Sequence, residues 1–207
     1  MREFLLSVKD IVLPMLTAAS YAVFLRNLLF SGGLGASEVL RAAQRNSEIM
    51  LTSLLVSLFS AAAAALCHLV AAPLGIYVYA WRAALYGALL LGLYLLACMA
   101  IVFFPRKFAP YKPLLLKRIG MSALNTIVMG VPLLAHNMGQ SLPQAIGMGL
   151  GAGLAFLLVT MLINSGLHIL QQNKAIPPMF TGVPAALIYT GLLALAFTGI
   201  SGEILFQ

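Results

Sequence analysis

Apolar residues run along the chain in six long stretches: Ile11–Phe30, Ile49–Ala71, Ala80–Phe104, Leu114–Ala135, Pro143–Leu170 and Val183–Ile200. A helix that crosses a bilayer needs roughly 20 apolar residues, so each stretch predicts one crossing. The pattern therefore predicts an all-α integral membrane protein with six transmembrane helices. Breakers stand between the stretches, at Gly32-Gly33, Pro73-Leu74-Gly75, Pro105, Pro110, Pro113 and Pro177-Pro178. Six crossings consume about 120 residues, which leaves short loops and a single polytopic domain over residues 1–207.

Two stretches are less uniform than the others. The first contains Arg26 and runs into Ser31-Gly32-Gly33-Leu34-Gly35, and the fourth contains Gly120, Ser122, Asn125, Thr126 and Gly130, with Pro132 soon after. Lipid cannot satisfy freed backbone groups, so a spanning helix breaks only where its backbone faces protein or a cavity. Both stretches are expected to be broken, with Arg26, Ser31, Gly32, Gly33, Asn125, Thr126 and Gly130 as candidate cavity-lining residues. They open two three-helix halves, about 1–104 and 105–207. An odd number of crossings per half gives the halves opposite orientations, an inverted repeat.

Composition agrees with lipid as the main solvent: 62% of residues are hydrophobic, 8% are charged, and the mean hydropathy is +1.01. The net charge of +7 does not point to nucleic acid, because the basic residues fall mainly in short segments between apolar runs rather than on an aromatic-interleaved surface. They sort by side instead. Arg41, Arg45, Arg106, Lys107, Lys112, Lys117, Arg118 and Lys174 fall on one face, and Arg2, Lys9 and Arg82 on the other. The richer side is expected to be cytoplasmic, placing both termini on the non-cytoplasmic side of the cell membrane. Ala18-Ala19-Ser20-Tyr21-Ala22 resembles a signal-cleavage site, but Glu3 and Asp10 offset Arg2 and Lys9, so the start is read as a retained helix.

Little else in the sequence suggests chemistry. Cys67 and Cys98 sit inside apolar runs without ligand spacing. Gly147, Gly149, Gly151 and Gly153 have neither a preceding strand nor a following Lys-Ser/Thr, and their spacing predicts overlapping GxxxG packing faces on one helix. His68, His136 and His168 lie on different segments, and Glu3, Asp10, Glu38, Glu48 and Glu203 all avoid the centres of the predicted spans. No catalytic residue and no metal site is expected.

The second half resembles a known family, the six-helix membrane subunits of the Rnf and sodium-pumping Nqr electron-transport complexes, most closely the Rnf A-type subunit. Asn125 to Val131, Ile176 to Gly182 and Ala194 to Gly202 carry the resemblance. It implies inverted three-helix repeats, other electron-transport subunits, and a partner of the same fold in the opposite orientation. It also implies an iron–sulfur centre held by one cysteine from each broken helix of each subunit. Here those cysteine positions are Ser31 and Thr126, and neutral hydroxyls are poor iron ligands beside thiolate, so the cluster is expected to be absent and the chain to carry no cofactor. The family's Arg-Glu-Arg run at the cytoplasmic end of the fifth helix becomes His168-Ile169-Leu170, which bears on docking of peripheral subunits.

The expected function is a non-catalytic, cluster-free scaffold or pathway subunit of a redox-driven ion-translocating complex. The alternative is the small-molecule binding membrane component of an energy-coupling vitamin importer, with Ala18-x-x-x-Ala22 as a helix-packing face. The charge count gives a direct test. A reporter that works only in the cytoplasm, fused after Gln207, should be silent, and activity there overturns the orientation.

Overall fold

A computed structural model describes residues 2–44, 49–74, 81–103, 112–173 and 177–201. The regular elements among them are helical: α1 (Arg2–Phe24), α2 (Leu28–Gly32), α3 (Ala36–Ala43), α4 (Ile49–Leu74), α5 (Arg82–Val102), α6 (Lys112–Ala123), α7 (Thr126–Asn137), α8 (Leu142–Gln172) and α9 (Val183–Ser201), with a 3-10 turn at Pro178–Phe180 before α9. Among the described residues, four segments are long and apolar enough to cross a membrane: Ile49–Ala71, Arg82–Val102, Lys112–Asn137 and Leu142–Gln172. Val183–Gly199 is a shorter apolar helix. The chain is a multi-pass membrane protein.

Helix lies under every apolar stretch, and the first stretch differs most from the sequence reading. The first helix starts at Arg2 rather than near Ile11, because apolar counting marks where lipid begins, not where helical backbone begins. Its break falls at residues 25–27, ahead of the expected Ser31–Gly35 run, and the fourth stretch breaks at residues 124–125. Pro132 lies inside α7 and Pro14 inside α1, and neither ends its helix. Ala80 and Phe104, the expected ends of the third stretch, lie outside the described residues.

The centre of the bundle is α8. Of its span 61% is buried, against 17% for α5, so α8 is the internal element and α5 largely faces outward. The α8 N-terminus is closed by Gln144, whose Oε1 accepts from Ser141 N at 2.9 Å, and Pro143 needs no amide partner in the first turn. The four expected packing glycines then divide between two neighbours. Gly147 and Gly151 press on the backbone of Met15 and Ala19 in α1, while Gly149 and Gly153 press on Ser60, Ala61 and Ser57 in α4. A Cβ at any of the four would overlap atoms of the neighbouring helix.

Between helices in lipid no hydrophobic driving force remains, so close backbone approach and hydrogen bonds hold them together. Ser60, fully buried, supplies such a bond by donating to the Gly149 carbonyl at 2.6 Å. Gly149→Val should therefore lower the thermal unfolding temperature in detergent, with a cost on the order of 1–3 kcal/mol from overpacking. Gly92→Ala should leave it unchanged or raise it, because a Cβ there meets open space.

Candidate functional site at the two helix breaks

At the first break, helical bonding stops because the amides of Leu25 and Arg26 both donate to the Tyr21 carbonyl, at 3.0 and 2.8 Å. Asn27 then serves both ends. Its Oδ1 accepts from Leu29 N at 3.1 Å, capping α2, and its Nδ2 donates to the Val23 carbonyl at 3.2 Å. One buried side chain thus replaces backbone partners lost on each side of the break, as buried backbone requires. The five residues of α2 end at Gly33, whose φ of 64° is the left-handed conformation that glycine adopts without strain. Gly33 N bonds to Leu29 O and Leu34 N to Leu28 O, a Schellman closure.

The second break repeats the device. Asn125 has φ −71° and ψ 137°, close to the −69° and 104° of Asn27, and its Oδ1 accepts from Ile127 N at 3.0 Å. Asparagine favours this position because its short carbonyl reaches the exposed amide of the first helical turn.

The two breaks meet. The Gly33–Gly35 loop lies over the start of α7, where Gly35 N donates to Thr126 Oγ1 at 2.7 Å across 91 residues of sequence. Gly35 has φ 75°, and a Cβ there would come 2.7 Å from Ile127 Cδ1 and 2.9 Å from Asn125 Oδ1. At Gly130 an added Cβ would come 2.6 Å from Leu34 Cδ1. On its other side, α2 touches α9 through Phe30 and Phe197, whose ring centroids are 5.0 Å apart.

Of the residues singled out from the sequence, Asn125, Thr126 and Gly130 therefore gather with the loop after Gly33. Arg26, Ser31, Gly32 and Thr126 are exposed on the surface of the isolated chain, beside exposed Phe24, Leu25 and Leu124. Ser31 Oγ donates back to the Asn27 carbonyl at 2.8 Å. Asn27, Leu34, Gly35 and Phe197 belong to the same assembly and are not among the candidate cavity-lining residues, although Leu34 and Gly35 stand in the run expected to break the first stretch. Asn27 carried a readable signal, a capping residue type at the end of an apolar run, whereas the roles of the other three depend on tertiary contact.

The remaining candidates lie elsewhere. Cys67 is buried on α4 and Cys98 half-buried on α5, helices without a break. His68 is half-buried, and His136 and His168 are exposed, with His168 Nε2 3.4 Å from Gln172 Nε2. Among the described residues, no group of three or more His, Cys, Asp or Glu is placed to hold a metal ion.

No protein-family model matches the chain. It is 33% identical over 119 residues to the A subunit of the ion-translocating oxidoreductase complex of Aromatoleum aromaticum, covering 56% of this chain and 61% of that one. Over 82 residues it is 38% identical to the corresponding protein of Erwinia tasmaniensis, covering 40% and 42%. Over 83 residues it is 39% identical to that of Pasteurella multocida, covering 39% and 41%. The matched part spans less than two thirds of each relative.

The contact between the breaks can be tested by removing the Thr126 hydroxyl. Thr126→Val should destabilise the protein by about 1–3 kcal/mol, the range for stranding a buried amide, and Thr126→Ser should restore most of the loss. The measurement is thermal unfolding of the full chain in mild detergent.

Proposed function

We propose that this chain, a divergent relative of the Rnf A-type subunits, is a membrane subunit of an ion-translocating oxidoreductase complex that serves as scaffold or pathway without a metal cluster of its own. The observation that carries this reading is the pair of asparagine-capped breaks that meet through Gly35 and Thr126. The caps themselves are buried, while Ser31 and Thr126 beside them are exposed at the surface of the chain. Lipid is a poor cover for the exposed Ser31 and Thr126, and a second membrane subunit laid over this face is a better one. The matched cap geometry at Asn27 and Asn125 supports two inverted halves of three crossings, about 1–104 and 105–207. It also favours a partner of the same fold in the opposite orientation. In that arrangement both termini lie on the non-cytoplasmic side of the cell membrane, as the distribution of basic residues suggests.

The iron–sulfur centre implied by the resemblance does not fit the residues present. Ser31 and Thr126 stand where cysteines are expected, and both hydroxyls already serve the protein, Ser31 donating to the Asn27 carbonyl and Thr126 accepting from Gly35 N. A neutral hydroxyl does not replace thiolate on iron. No electron-transfer step is therefore assigned to these positions. The breaks serve instead as polar points against which the partner subunit packs.

The importer alternative is weakened by Ala18 and Ala22, which are 5% and 2% exposed. They are buried inside this chain, on a helix that packs against α8 through Met15 and Ala19, and are not free for a transporter partner. Affinity purification of the chain in mild detergent separates the two readings. Co-purification of flavin or iron–sulfur subunits with a second six-helix membrane subunit is the expected result, and a pair of ATPase subunits in their place overturns it.

A further inference from the structure

The two asparagine caps look alike but are not equally satisfied. Asn27 uses both ends of its amide, whereas Asn125 uses only its oxygen: Asn125 Nδ2 is buried without a hydrogen-bond partner in the protein. Three residues earlier, at the end of α6, Ser122 Oγ is in the same condition. Both residues are 1% exposed. Among the described residues, the other buried hydroxyls find a carbonyl, Ser53 at Ile49 and Thr160 at Phe156, four residues back, and Ser60 at Gly149. Ser122 finds none, at the place where Asn125 departs from Asn27. Buried polar groups are almost always paired, with protein or with ordered water.

We infer that the α6–α7 break holds a buried water molecule bound between Asn125 and Ser122. The chemistry of the two groups selects it. The bond from Ile127 N to Asn125 Oδ1 fixes which end of the amide is oxygen, so the free end is an N–H donor and needs an acceptor. An N–H donor repels a bare cation. Ser122 Oγ accepts or donates, so the occupant can also give a proton. Water does both, and ordered water is the usual partner of buried polar groups that the protein leaves unpaired. Asn125 precedes Thr126, whose hydroxyl accepts from the Gly35 amide, so the water sits beside the residue that joins the two breaks. This assignment stands on the side chains of this chain and does not depend on the complex it joins. Its consequence is a specificity: the second break takes a neutral hydrogen-bonding molecule and not a dehydrated alkali ion.

The test is an experimental structure of the full chain, alone or in its complex, fine enough to show ordered water. The expected result is a density peak within about 3.2 Å of both Asn125 Nδ2 and Ser122 Oγ, with no such peak at Asn27. In Ser122→Ala that peak should disappear while the Asn125–Ile127 cap remains. Two outcomes overturn the inference in the wild-type protein. One is Ser122 turned to the Arg118 carbonyl and Asn125 Nδ2 to the Met121 carbonyl with no peak between them, and the other is a direct Asn125–Ser122 hydrogen bond. A peak unchanged in Ser122→Ala overturns the shared site. If that variant fails to fold, the wild-type structure decides alone.

Discussion

A peptide group inside a bilayer has no water to bond to, so any helix that stops there must close its own ends. This constraint organises the protein. The chain interrupts helical backbone twice within apolar stretches, and each time an asparagine stands at the restart with its oxygen on the second amide of the new helix. At Asn27 the same side chain also takes up the Val23 carbonyl left by the helix before it. The breaks are therefore built features of the fold, and α2, too short to persist alone, is held by its cap, its Schellman closure and the contact of Phe30 with Phe197.

Holding the breaks in register requires a rigid frame, and α8 supplies it. Glycines at 147 and 151 admit the backbone of α1, and glycines at 149 and 153 admit that of α4. The helix that leads into the first break is thereby locked to the centre of the bundle. From there the Gly33–Gly35 loop reaches the start of α7, and only glycine suits position 35, where a positive φ coincides with the close approach of Asn125 and Ile127. Packing within the membrane and polar closure at the breaks thus depend on each other.

Much of this was legible in the sequence. The apolar stretches located the helices, the glycine spacing located the packing faces of α8, and the clusters around Arg26–Gly35 and Gly120–Gly130 marked where helices would break. The exact break points were not legible from glycine and proline. Gly33 closes α2 rather than interrupting α1, and Pro132 sits inside α7, because a break goes where a side chain can satisfy the freed backbone. Asn27 and Asn125 meet that condition. The bond from Gly35 to Thr126 joins residues too distant for any local pattern to connect. Likewise, periodicity could not tell that Ser31 and Thr126 end on an open face, since that depends on how the two halves lie together.

The central claim is that these breaks persist as hydrogen-bonded polar points where thiolate ligands are expected from the resemblance. It is tested most directly by the iron content and electron paramagnetic resonance of the complex purified through this chain, compared between wild type and Ser31→Ala. The same iron per complex and the same spectrum are predicted in both. Loss of iron or of a cluster signal on removing the Ser31 hydroxyl contradicts the claim.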